Sequence, residues 1–216
     1  MNNMEISPSI ISSNLLELGT QIKECQDAGA GSFHLDIMDG HFVDNITMGP
    51  DLVAAIRKGT NLRLDCHLMI ERPDRYYKSF INAGADVLLI HYETPIEVIN
   101  LIKKFQDENI RYGIVINPDT DVKKIYKLIP GSEIVLVMSV FPGFSGQKFI
   151  EKSLEKVKAL REFIDENNYS TRIEIDGGIN NETGKLAVEA GADILVSASY
   201  IFKNGINESI KKLKSL

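Results

Sequence analysis

The sequence predicts an α/β protein, a single (β/α)8 TIM barrel spanning residues 1–216. Three observations point there. The segments DAGAGSFHLD (27–36), NAGADVLLIH (82–91) and EAGADILVSA (189–198) resemble one another, each reading as a helix end, a glycine turn and an apolar strand. Their spacing, about 55 residues and then about twice that, is a multiple of a βα unit of about 27 residues, and eight such units fill the chain. Finally, short β-branched apolar runs, suited to strands buried on both faces, alternate with amphipathic stretches that begin on helix-start residues. An open doubly wound α/β sheet is the alternative architecture.

The elements follow in order. MEISPSI (4–10) is the first strand, and Asn14 starts a helix over LLELGTQIKECQDA. SFHLDI (32–37) is the second and leads into a long loop. LRLDCHL (62–68) is the third, with Pro73 opening the helix PDRYYKSFINA. DVLLIH (86–91) is the fourth, with Pro95 opening PIEVINLIKKFQDE; proline suits a first helical position because the N–H it lacks has no partner there. YGIVIN (112–117) is the fifth, and Asp121 marks the helix after it. EIVLVM (133–138), RIEID (172–176) and DILVSA (193–198) complete the strands, with helices over 152–167, 181–190 and 209–216.

No Ser/Gly-rich linker divides the 216 residues, so they read as one domain. A hydrophobic share of 44% is enough for a full core. A net charge of -6 and a pI near 5.3 argue against nucleic acid or an anionic membrane as partner, since both demand a basic face. The N-terminus lacks a basic-then-apolar signal segment, and no apolar run approaches a membrane span of roughly 20 residues. Cys25 and Cys66 read as buried thiols of a cytoplasmic protein.

In a barrel of this kind the site forms where strands end. The second strand ends His34-Leu35-Asp36, and alternation puts His34 and Asp36 on one face. The third ends Asp65-Cys66-His67, and the seventh ends Glu174-Ile175-Asp176 before Gly177-Gly178. A lone strand-end histidine is usually a rim residue, and a lone Asp before glycines is usually turn chemistry. Two His and two Asp converging on one mouth make an N2O2 set for a divalent cation, with imidazole and carboxylate ligands that suit Zn, Fe(II), Mn or Co. Asp65 and Glu174, one layer below, read as groups that orient the ligands by hydrogen bonds. His91 reads as a wall or supporting residue, Asp39 as a turn former and His41 as solvated.

Glycines and small residues follow three neighbouring strands: FPGFSGQKF (141–149), Gly177-Gly178 and Ala198-Ser199. Exposed backbone N–H groups in such turns cradle phosphate, and the loops after the seventh and eighth strands are the usual place for it. Met38, Met69 and Met138 fall at or just past strand ends, where they fill apolar space or form a polarizable cover over a reacting carbon.

The ordered set SPSI, HLDIMDGHFV, LDCHLM, MSV-PGF-GQKF and EIDGGIN, from about Ser7 to Phe202, resembles the ribulose-phosphate 3-epimerase family. The resemblance implies a TIM barrel of the ribulose-phosphate-binding type that interconverts D-ribulose 5-phosphate and D-xylulose 5-phosphate with one divalent metal ion. It implies His34, Asp36, His67 and Asp176 as metal ligands, with Asp36 and Asp176 doubling as the acid/base pair. Ser9, His67, Gly143, Phe144, Ser145, Gly146, Gly177, Gly178, Ala198 and Ser199 would bind the substrate and its phosphate. Met38, Met69 and Met138 would crowd an enediolate. The partner is a small phosphorylated sugar, and association into a homo-oligomer through the outer faces is expected.

This chain departs from the family pattern at three places. Phe141-Pro142-Gly143-Phe144-Ser145-Gly146 stands for the usual Asn-Pro-Gly-Phe-Gly-Gly, Ala198-Ser199 for Gly-Ser, and Val43-Asp44-Asn45 for Val-Pro-Asn. All lie in loops that meet the sugar or phosphate, so D-allulose 6-phosphate is the near alternative substrate. A phosphosugar decarboxylase is disfavoured because Asp36-Ile37-Met38-Asp39 lacks the lysine of the Asp-x-Lys-x-x-Asp motif such enzymes share. A non-catalytic phosphosugar-binding barrel would be signalled by a lost ligand or carboxylate, and none is lost.

Overall fold

A computed structural model describes residues 4–216. Its eight strands are β1 (Glu5–Pro8), β2 (Ser32–Met38), β3 (Arg63–Met69), β4 (Val87–His91), β5 (Tyr112–Ile116), β6 (Ile134–Met138), β7 (Arg172–Asp176) and β8 (Ile194–Ser197). All pair in parallel in the order β1-β8-β7-β6-β5-β4-β3-β2. The seam between β1 and β2 is joined by one parallel bridge, Ser9 with His34, and by the Gly31 N–H donating to Ile6 O at 2.9 Å. The sheet therefore curls into a nearly closed ring, which excludes the open doubly wound sheet.

The helices are α1 (Leu18–Asp27), α2 (Pro50–Gly59), α3 (Pro73–Ala83), α4 (Val98–Asp107), α5 (Ser153–Glu166), α6 (Asn181–Ala190), α7 (Ser199–Lys203) and α8 (Ile206–Lys214). Pro73 opens α3, and Gly84 at φ +104° closes it. Asn180 and Thr183 form a reciprocal cap on α6, and Gly191 at φ +108° ends it. With Gly29 at φ +93°, these left-handed glycines are what the three AGA triplets encode, because a residue with a Cβ resists that conformation.

Four expectations need correction. Asp121 does cap the chain, its side chain accepting from Lys123 N–H, but the result is two 3-10 turns, Val122–Lys124 and Tyr126–Leu128, rather than an α-helix. Only about eight residues separate the cap from Pro130, too few to offset the cost of nucleating a helix. After β8 the chain forms α7 as well as α8. Asn14 likewise caps a 3-10 turn, Leu15–Glu17, before α1 begins, and α4 begins three residues after Pro95.

Outward strand residues such as Phe33, Leu35, Cys66, Leu88 and Ile90 pack against the helices in the main core. The barrel interior is divided. Val87, Leu89, Val115, Ile134, Leu136, Met138 and Ile194 fill the side built by β4, β5, β6 and β8. The side built by β1, β2, β3 and β7 holds Ser7, His34, Asp65, His67 and Glu174, each fully buried. Buried polar groups persist chiefly when partnered, and in this stack all but Glu174 Oε2 are. At its base the Arg63 guanidinium donates to both Asp65 oxygens at 2.7 and 2.8 Å and to Glu5 at 2.9 Å, while Arg172 donates to Glu5 at 2.6 Å.

Candidate metal centre and active site

Register builds the site. Asp36 pairs with His67 across β2 and β3, and His34 pairs with Asp65, so alternation directs all four into the barrel. Asp176 ends β7 opposite Met138. Ser139 holds that end in place: its hydroxyl donates to Asp176 O at 2.9 Å and to Gly177 O at 2.7 Å. One ligand atom from each of His34, Asp36, His67 and Asp176 lies within 4.8 Å of all the others. His34 Nε2 sits 3.1 Å from His67 Nδ1, 3.4 Å from Asp36 Oδ1 and 3.9 Å from Asp176 Oδ2.

The surroundings orient each group. The His34 Nδ1–H faces Glu174 at 2.8 Å, so its Nε2 points into the cluster. His67 Nδ1 is 3.1 Å from Asp36 Oδ1, and its Nε2 is 2.8 Å from His91. The Ser9 hydroxyl donates to Asp36 Oδ2. Glu174 therefore supports His34, as a group one layer down should. Asp65 does not support a ligand; its two oxygens are engaged by Arg63. Asp39 accepts from the N–H groups of His41 and Phe42 at 2.9 and 3.0 Å, and from Glu71 N–H at 2.8 Å, tying the loop after β2 to the loop after β3. His41 is exposed.

The electrostatics separate the two carboxyls. Burial alone would raise Asp36, but the charge and hydrogen bond of His34, with the bond from His67, hold it well below the usual carboxylate range. Burial, then the nearby Asp36 charge, pushes Asp176 up to about 7. Burial opposes a cation on His34, yet Asp36 and Glu174 outweigh it and raise His34 well above an ordinary imidazole. Burial dominates at His67 and pushes it down to about 3. Two inward-facing imidazole nitrogens and two carboxylates crowd one point. Such a set needs positive charge at its centre, and a divalent cation with mixed N and O ligands fits it.

Above the cluster lies a cleft open to solvent, with Asp36 and Asp176 in its floor and Ser9 beside them. Met38, Met69 and Met138, each nearly fully buried, line it, and so do Gly143, Phe144, Ser145, Gly146, Gly177, Gly178, Ala198 and Ser199. His34 and His67 lie beneath it with no exposed surface. Gly177 and Gly178 take φ of +122° and +64°, and a Cβ on Gly178 would stand 2.8 Å from Phe149 N. Backbone of the loops after β6 and β7 is thus packed together where a phosphate would approach. Gln147, not anticipated from sequence, donates to Phe141 O at 2.7 Å and Phe144 O at 2.9 Å and shapes the first of these loops. Glu93, two residues past the strand-end His91, lies 3.1 Å from His91 Nδ1 and was likewise not anticipated.

The fold and site together define a TIM barrel with a buried imidazole–carboxylate cluster that could hold a divalent ion, under a cleft rimmed by glycine turns. The particular family is given by comparison: the ribulose-phosphate 3 epimerase family model matches residues 5–202. The chain is 44% identical over 200 residues to a ribulose-phosphate 3-epimerase of Bacillus subtilis, covering 92% of each chain, and 42% identical over 212 residues to one of Aquifex aeolicus, covering 98% and 96%. The protein belongs to the ribulose-phosphate 3-epimerase family and is an isomerase of the epimerase class. Among solved structures, a tryptophan synthase α-subunit from Pyrococcus furiosus superposes with a TM-score of 0.70 at 12% identity, covering 99% of this chain and 96% of that one; the likeness is one of fold.

Proposed function

We propose that this chain is one catalytic barrel that epimerises carbon 3 of a ketose phosphate, converting D-ribulose 5-phosphate to D-xylulose 5-phosphate. The observation that carries the reading is the pair Asp36 and Asp176, on strands three steps apart around the ring, both lining the floor of one cleft. Inverting a carbon acid requires one group to take a proton from one face and another to return one on the other face. Two carboxyls on opposite sides of the substrate, one charged while the other holds a proton, suit that task, and each exchange of roles resets the pair for the reverse direction. General acid–base catalysis of this kind contributes about 10²–10⁴-fold.

His34, Asp36, His67 and Asp176 would hold one divalent metal ion; Zn, Fe(II), Mn and Co all suit the donors. Such an ion supplies Lewis-acid stabilisation of the negative charge that develops on the substrate oxygens. Ser9 fixes Asp36 through its hydroxyl and reaches the substrate. The loops at 143–146, 177–178 and 198–199 bind the sugar and its phosphate, and that remote grip positions carbon 3. The three methionines exclude water beside the enediolate.

A cytoplasmic setting suits the two free, buried thiols, both pushed up by burial and so poorly reactive. No helix among the described residues is long and apolar enough to cross a membrane. Self-association is supported by Leu15 and Leu16, which stand 64% and 96% exposed.

The test is turnover in D2O with and without a chelator, followed by NMR. Chelator-sensitive deuterium entry at carbon 3, with xylulose 5-phosphate appearing, is the expected result. Turnover of D-allulose 6-phosphate alone would keep the chemistry and change the substrate. No exchange with either after metal is restored would overturn the proposal.

A further inference from the structure

The two imidazoles of the cluster reach it through different nitrogens, and each has a carboxylate behind it. For His34 the carboxylate is Glu174, in direct contact. For His67 the path is longer. His67 Nε2 meets His91 Nε2 at 2.8 Å, and His91 Nδ1 meets Glu93 Oε2 at 3.1 Å. Both ends of this path are carboxylates, Asp36 Oδ1 at 3.1 Å from His67 Nδ1 and Glu93 at His91 Nδ1, and each only accepts; a cation on His67 Nδ1 would therefore select the series in which His91 carries its proton on Nδ1. Its Nε2 is then an acceptor, so His67 carries its proton on Nε2. That leaves the lone pair of His67 Nδ1 directed at Asp36, His34 and the centre of the cluster. A proton on His91 Nε2 would reverse the series and put hydrogen on His67 where a metal ion would bind.

Glu93 is itself anchored. Its Oε1 accepts from Asn117 N–H at 2.9 Å and from the Thr120 hydroxyl, both past the end of β5. The Phe42 ring lies over His91 at 4.8 Å between centroids, and His91 has no exposed surface. Burial pushes the Glu93 carboxyl up, but the bonds from His91, Thr120 and Asn117 more than offset it and hold it below its ordinary value.

We propose that Glu93 is a positioning residue for the metal centre: through His91 it holds His67 in the tautomer whose Nδ1 is free to bind a divalent cation. The inference rests on the metal-site reading above. It also makes a near-isosteric substitution informative. In Glu93→Gln the amide oxygen must stay on the Asn117 N–H, so the NH2 group faces His91 Nδ1 and drives the reversed series.

The experiment is Zn²⁺ titration of the whole protein against a chromophoric chelator, for wild type, Glu93→Gln and Thr120→Val. Imidazole ¹⁵N spectra of Zn-loaded wild type accompany it. Zn²⁺ affinity should fall about 10–100-fold in Glu93→Gln, the usual cost of losing a group that supports a ligand. Thr120→Val, which removes a bond from the same carboxylate without touching its contact to His91, should stay within about two-fold. His91 should be protonated at Nδ1 and bare at Nε2. Wild-type affinity in Glu93→Gln, an equal loss in Thr120→Val, or a proton on His91 Nε2 would each overturn the inference and leave Glu93 a loop anchor. If Glu93→Gln fails to fold, the wild-type spectra decide. A wild type that binds no Zn²⁺ would instead sink the metal-site reading, and the inference with it.

Discussion

Asp36 and Asp176 reach the same imidazole nitrogen from strands three steps apart: Asp36 Oδ1 lies 3.4 Å and Asp176 Oδ2 3.9 Å from His34 Nε2. The arrangement brings two carboxyls to the floor of one cleft yet gives them unequal surroundings. Of the two carboxyls, Asp36 lies nearer both imidazoles, whereas burial and its neighbour's negative charge prevail at Asp176.

Asp176→Asn should remove one proton carrier and leave the fold intact, because the amide occupies the same space. Turnover should fall by at least about 10²-fold, the lower range for a lost general acid or base. The same variant relieves repulsion from Asp36, so the chelator-treated protein should melt no lower than wild type at pH 8. Epimerisation at the wild-type rate would end the two-carboxylate mechanism.

The pH dependence of metal binding follows from the raised values. Asp176, at about 7 in the fold, binds its proton more tightly than an ordinary carboxyl does. Its contribution to stability is therefore complete at pH values below the usual carboxylate range and is lost as pH rises through about 7. His34, also raised, acts in the same sense. A cation replaces those protons, so the increase in Tm on adding Zn²⁺ should be larger at pH 8 than at pH 6. Calorimetry at the two pH values checks it, and an equal or opposite change would count against these four ligands.

Gly178→Ala should damage the phosphate side. The residue has φ +64°, and a Cβ would meet Phe149 N at 2.8 Å and Gln147 O at 3.0 Å. Strain and overlap together should cost about 1–3 kcal/mol in chemical denaturation. KM should rise more than kcat falls, since the acid/base groups are untouched. An unchanged KM would remove this turn from the binding site.

Arg63→Met should reveal the charge stack beneath the site. Asp65 is fully buried, and burial pushes it up to about 6 even with Arg63 bonded to it. Removing the guanidinium leaves that carboxyl unpaired, a loss of about 3–5 kcal/mol where it stays ionised. Protonation spares the variant, so the deficit should be larger at pH 8 than at pH 5. Denaturation curves at both values test this, and a pH-independent loss would mean packing, not charge, is what Arg63 supplies.

Much of this was legible in the chain. Strand ends were readable to within one or two residues because apolar runs and glycine turns are local signals. Alternation alone puts His34 with Asp36, and Asp65 with His67, on shared faces. The helix after β5 was not readable, since Asp121 looks like any other helix start and the limit comes from Pro130. Nor was the partner of each polar group. Glu174 finds His34 from 140 residues away in the chain, while Asp65 turns to Arg63 two residues before it.

By itself, then, the sequence determined the barrel, the strand-end residues and the family resemblance, all of which rest on period, spacing and residue type. Only the tertiary structure decided that the polar residues fill one side of the barrel, that Asp36 and Asp176 differ in proton affinity, and that Glu93 stands behind His67. Those depend on how strands far apart in sequence are staggered around a closed ring. That stagger sets which side chains share a layer, and in a buried layer it is distance and partner that fix protonation and tautomer.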